Sequence, residues 1–230
     1  MVAWRATERR VLAITFVATF VLALALKTPA ATLLSPGLLG NISGTIWHGT
    51  ATIGASPLPG DAAHRLDWDF APVASLARGR LAFDVTVVGV GTALTGVAAA
   101  WPGAPLVDRL DGRADWSLVS ALAPALPIRC ATALTVHALR LGRGQVAGEI
   151  VSDPGRCGPA GVNLTTPVPR LVATGAGSTL VVSPWAARGD HLVEATLRPD
   201  ARVTVHVTPR GAIVFGGTFP PGGATLETTL

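Results

Sequence analysis

A chain of 230 residues with a net charge of +4 and only 14% charged residues has room for one large domain or two small ones. Its mean hydropathy of +0.48 obliges the apolar residues to fill a core or to face something apolar. Past Lys27 the arginines stand singly, as at Arg65, Arg113, Arg140, Arg170 and Arg202, so no basic face is gathered and nucleic-acid binding by counterion release is not expected.

The first ten residues carry Arg5, Arg9 and Arg10. Val11 to Leu26 is then apolar apart from Thr15 and Thr19, and Lys27 and Pro29 close the run. Basic residues ahead of an apolar run hold the N-terminus in the cytoplasm. As a helix, this run rises about 24 Å, short of a hydrocarbon core of about 30 Å. Snorkelling by Lys27 and an added turn through Leu34 make up the difference. The expectation is therefore a cytoplasmic stretch over 1–10, a transmembrane helix over 11–34 and an exported body over 35–230. A cleaved signal peptide is the alternative. It lacks a clean small-x-small site after Lys27, and it would deliver the body to the same compartment.

The body is punctuated by Gly and Pro between short apolar runs, the mark of many strands and turns. Strict alternation predicts half-buried strands. Leu66, Trp68 and Phe70 oppose Arg65, Asp67 and Asp69. Leu81, Phe83, Val85 and Val87 oppose Ala82, Asp84 and Thr86. Val193, Ala195 and Leu197 oppose Glu194, Thr196 and Arg198. Val203, Val205 and Val207 oppose Thr204, His206 and Thr208. Short helices are expected over Ala74–Gly79 and Trp116–Ala123, the second stopped by Pro124. The fold class is mainly β, a curved and mostly antiparallel sheet with one apolar face. A hinge between its two halves is expected near 102–111, where Pro, Gly and charge interrupt the strands.

Cys130 and Cys157 are the two cysteines. Gly142-Arg143-Gly144-Gln145 reads as a tight hairpin turn. With Arg143 and Gly144 at its tip, Leu141 faces Val146, Val136 faces Val151, and Cys130 faces Cys157. An oxidising compartment makes this pair a structural disulfide, whose loop closure contributes roughly 3–4 kcal/mol. Two cysteines without nearby ligands make a poor zinc site, and there is no Cys-x-x-Cys.

No catalytic constellation emerges. His48, His64, His137, His191 and His206 are scattered, and His137 and His206 fall on polar strand faces. Asp67 and Asp69 are explained by alternation around Trp68. Gly89-Val90-Gly91 and Gly175-Ala176-Gly177 open no helix after a parallel strand, so they cradle no phosphate. No Gly-x-Ser-x-Gly elbow occurs. No enzyme activity, metal or cofactor is expected.

One stretch says more. Ser43-Gly44-Thr45-Ile46-Trp47-His48-Gly49-Thr50-Ala51 resembles the Gly-Thr-aliphatic-Trp-x-Gly-x-Ala hallmark of the type II secretion system protein N family. The order that follows is similar too: Leu66 to Phe70 around Trp68, Pro72, Leu76 to Leu81, the strand Phe83 to Val88, Asp111 to Trp116, and Leu126-Pro127. More distantly, the pattern resembles AsmA-like envelope proteins. The resemblance implies a single-pass inner-membrane protein with a periplasmic β domain. It would be a non-catalytic accessory of type II protein secretion that contacts subunits of the inner-membrane platform or the outer-membrane pore. It marks Gly44, Thr45, Ile46, Trp47, Gly49 and Trp68 as candidate interface residues. A second reading is a lipid-handling β protein whose apolar face holds the acyl chains of phospholipid. A dry, closed core favours the first reading, and an open apolar groove the second.

Overall fold

Hairpin follows hairpin along most of the chain, because most strands pair with the next one in sequence. The computed structural model describes residues 27–32, 39–54, 63–100, 107–123, 126, 128–142, 144–159, 166–200, 202–215, 220 and 222–229, with 15, 16 and 19 near the N-terminus. The first strands are β1 (Leu39–Gly44), β2 (His48–Ile53), β3 (His64–Phe70), β4 (Leu81–Gly89), β5 (Thr92–Ala100) and β6 (Val107–Asp115). The middle strands are β7 (Ile128–Ala131), β8 (Ala133–Gly142), β9 (Gln145–Ser152), β10 (Gly155–Pro159) and β11 (Thr166–Val168). The last are β12 (Leu171–Ala176), β13 (Thr179–Pro184), β14 (Val193–Leu197), β15 (Arg202–Val207) and β16 (Ala224–Thr229). Thirteen of them form one sheet in the order β1-β2-β3-β4-β5-β6-β8-β9-β12-β13-β14-β15-β16, and β11-β10-β7 form a small second sheet. The fold is thus mainly β and dominated by one large antiparallel sheet.

The predicted apolar faces meet across the strands. Leu66, Trp68 and Phe70 stand opposite Val87, Val85 and Phe83. Val193, Ala195 and Leu197 stand opposite Val207, Val205 and Val203. Two members depart from expectation: Leu81 is exposed at the strand end, while Ala82, on the polar face, is fully buried beside the first helix.

Three short helices interrupt the strands: α1 (Pro72–Arg78), α2 (Trp116–Leu122) and α3 (Pro209–Val214). The first begins two residues ahead of its predicted start because Pro is well suited to the first helical turn. The second is capped by Asp115, whose carboxylate accepts from Ser117 N at 2.9 Å. The third was not legible: six residues containing Pro and Gly show no helical period, and its start is fixed by Thr208, which accepts from Gly211 N.

Bulges interrupt the ladder, and an extra residue at such a point increases local twist. Register shifts occur in the β5–β6, β6–β8 and β8–β9 pairs. The expected hinge near 102–111 falls partly here. Residues 102–106 lie outside the described residues, whereas Val107 to Asp111 belong to β6, which is bonded on both sides. At the β8–β9 bulge Ala138 takes a positive φ of 47°, and its N–H donates to the Asp111 carboxylate at 2.8 Å.

That bulge corrects the expected hairpin register. Leu141 faces Val146 as expected, but beyond Ala138 the pairing slips by one and Val136 faces Ile150 instead of Val151. Cys130 lies outside the hairpin ladder, in β7, directly opposite Cys157 of β10. The disulfide forms there, with Cα atoms 4.1 Å apart.

Two main cores result. One joins Ile53, Val87, Leu94, Ala114, Leu134 and Val136 of the sheet to Leu118 of α2. The other packs Ile128, Cys157 and Val168 of the small sheet, with Ala212 of α3, against Leu171, Leu192 and Val207. Each fully buried Val or Leu contributes roughly 1.5–3 kcal/mol. The apolar faces in these regions are therefore covered by α2, α3 and the small sheet.

Among the described residues no helix is long and apolar enough to cross a membrane. Most of the segment expected to span it, 11–34, lies outside the described residues. Its last described part belongs to the β domain. Pro29 bridges to Thr45, and residues Ala30–Thr32 form a single 3-10 turn.

A candidate interface at the first hairpin

The turn between β1 and β2 contains the hallmark stretch, and each of its residues has a physical task. Gly44 has a φ of +93°, and a Cβ there would lie 2.5 Å from the His48 carbonyl oxygen. Only glycine fits such a position without strain. Thr45 N donates to His48 O at 2.8 Å. The Thr45 hydroxyl accepts from Trp47 N and His48 N, both at 3.3 Å, so one side chain satisfies two turn amides.

The turn also holds the chain that arrives from the N-terminus. Ile46 N donates to Thr28 O at 3.2 Å, beside the Pro29–Thr45 bridge. Ala30, fully buried, packs with Ala51 and Trp68 in a small cluster of its own.

Two tryptophans fix the hairpin from either side. Trp47 meets Phe70 edge-on, with centroids 5.1 Å apart, and Phe70 meets Phe83 likewise at 5.8 Å. Such pairs contribute roughly 0.5–1.5 kcal/mol beyond area burial. The Trp47 carbonyl accepts from Phe70 N at 2.7 Å. Trp68 is buried, and its indole N–H donates to Thr45 O at 3.2 Å. Its ring lies over Gly49, where a Cβ would sit 2.3 Å from Trp68 Cζ2. His48 Nδ1 and the Asp69 carboxylate are hydrogen-bonded at the surface. Both are well exposed, so the pair contributes little to stability.

The structure thus gathers Gly44, Thr45, Ile46, Trp47, Gly49 and Trp68 into one unit. Its geometry stitches residues 28–30 to the sheet. Among the described residues no cluster of three His, Cys, Asp or Glu side chains is placed to hold a metal.

Two features escaped sequence reasoning. His64 opens β3 on the same face as Leu66 and Trp68 and is fully buried. Alternation alone would have placed it inside. Its Nε2 lies 3.1 Å from the Ser117 hydroxyl. Burial lowers its pKa, against the pull of the Asp115 carboxylate. It sits at the opposite end of β3 from Phe70 and the first hairpin. The second feature is Trp185, exposed at the end of β13. The guanidinium carbons of Arg170 and Arg188 lie 4.8 and 4.5 Å from its ring centroid, within cation–π range. Arg170 and Trp185 come from different strand ends, and the three residues carry no motif.

Comparison with known proteins supplies the identity. A family model described as type II secretion system (T2SS), protein N matches residues 38–156, just over half of the chain. The matched span opens at β1 and takes in the first hairpin, Trp68 and the Asp111–Trp116 stretch. It stops one residue short of Cys157 and leaves out β11 to β16. No curated protein and no solved structure matches the chain. With its hallmark hairpin inside the matched span, the chain belongs to the type II secretion system protein N family.

Proposed function

We propose that this protein is a non-catalytic accessory of type II secretion, anchored in the inner membrane by residues 11–26 and acting in the periplasm through contacts of its β domain with other secretion subunits. The observation that carries this reading is that the family span opens on the same hairpin that holds the chain emerging from the apolar run. Arg5, Arg9 and Arg10 ahead of that run favour a cytoplasmic N-terminus. The Cys130–Cys157 disulfide suits an oxidising compartment. The anchor on this reading ends before Thr28, because residues 28–30 are held by the sheet.

The acyl-groove reading draws less support, since the apolar faces around both main cores are covered by α2, α3 and the small sheet. The test is a deletion strain assayed for release of secreted enzymes into the medium. Loss of release, restored by the full chain, is the expected result. Normal release, with no association between the chain and any secretion subunit, contradicts the reading.

A further inference from the structure

Helix α1 is built inside out. Its small residues Ala74 and Ser75 turn toward the sheet, where the Ser75 hydroxyl accepts from Ala82 N at 2.8 Å. Its large apolar residues turn away: Val73 is 81% exposed and Leu76 87% exposed. They lie three apart, on one side of the helix. No residue of α1 is buried. A surface helix ordinarily does the reverse, because apolar area left in water is unfavourable.

The position of α1 says what covers it. It joins the Phe70 end of β3 to the Leu81 end of β4, and Phe70 N is bonded to the Trp47 carbonyl of the hallmark turn. The turn and α1 therefore occupy the same end of neighbouring strands. With strands about 4.8 Å apart, they are separated by roughly 10–15 Å. The tether is short. Lys27 alone lies between Leu26, the last residue of the apolar run, and Thr28, whose carbonyl is the first one stitched to the hairpin. These two residue steps reach at most about 7 Å, and less with Lys27 helical, which keeps the stitch within the headgroup layer of one leaflet, about 5–7 Å. If Leu26 lies in the bilayer, the hairpin end of the sheet rests among the headgroups and α1 is held beside it. The charge on α1 suits that setting. Arg78 is its one charged residue, and Arg78 and Arg80 pair with Asp108 at 2.7 and 3.2 Å.

We propose that α1 is a membrane-contact element, with Val73 and Leu76 seated in the lipid headgroup–acyl boundary of the leaflet that holds the chain's own N-terminal segment. This rests on the anchor reading above. It adds a second, non-covalent attachment that fixes the tilt of the β domain over the bilayer.

The test places a photoreactive benzophenone amino acid at position 76, and separately at 73, in the full chain in its native membrane. Position 90 serves as control, because Val90 is 75% exposed but lies at the far end of β4. Adducts are identified by mass after alkaline carbonate extraction. Phospholipid adducts at 76 and 73, several-fold above those at 90, are the expected result. If the chain stays in the extracted membrane but probes 76 and 73 label protein alone, or no more lipid than 90, the α1 contact is wrong while the anchor stands. If the chain leaves with the soluble fraction, the anchor is wrong and the α1 contact falls with it.

Discussion

At the scale of single residues, the hallmark stretch is a set of space and hydrogen-bond requirements. Gly49 exists to admit the Trp68 ring, so Gly49→Ala forces that ring or the β1 backbone to move, the latter through the Ser43 carbonyl 2.5 Å from the would-be Cβ. Overpacking of this kind costs roughly 1–3 kcal/mol. A lower denaturation midpoint for the Gly49→Ala chain in detergent checks this, and an unchanged midpoint would mean that the contact is slack. His64 gives a pH signature. Burial lowers its folded-state pKa below its ordinary value of 6.5, so between the two values the unfolded chain binds more protons than the folded one. Stability is then complete above about 6.5 and declines as pH falls through the window below it. Denaturation midpoints across that range should show the decline, and His64→Gln should flatten it. The sequence disclosed the hallmark's membership but not its chemistry. Gly44 is explained by the His48 carbonyl brought close by the folded turn, and Gly49 by a ring contributed by another strand.

At the scale of elements, alternation was a sound guide because a half-buried strand must put every second residue inside. It recovered the faces of β3, β14 and β15 and most of β4. It could not locate the bulges. Ala138 has a positive φ, which an alanine does not advertise, and its amide is satisfied by Asp111, 27 residues away in sequence. The expected register therefore held near the turn and failed beyond it. The cysteines still met, because β7 and β10 leave the ladder and form the small sheet. Their loop has a sequence separation of 27. Reduction should cost about 3–4 kcal/mol in the chain-entropy account, read as a lower thermal midpoint with reductant present. Since the small sheet covers the core around Leu171, Leu192 and Val207, hydrogen exchange should rise first in β12, β14 and β15. Faster exchange confined to β2 and β3 would place the disulfide's effect elsewhere.

At the scale of the whole molecule, the order of strands follows the order of the chain except where β7, β10 and β11 step out to close the second core. That topology pairs mostly consecutive strands, which is why hairpin pairing is legible in the sequence. What it could not reach was how the apolar face is covered. A stripe of Val and Leu reads alike whether it meets a helix, a second sheet or an acyl chain, and the choice depends on where α2, α3 and the small sheet fold back. The family span ends at residue 156 and takes in β1 to β9 and the start of β10, the first hairpin among them. The most direct test of the central claim is crosslinking of the tagged full chain in its native membrane, with the captured proteins identified by mass spectrometry. The account predicts subunits of the secretion platform or of the outer-membrane pore, with crosslinks enriched around Trp47. Capture of phospholipid with no secretion subunit would contradict it, and would reduce the family membership to a statement about fold.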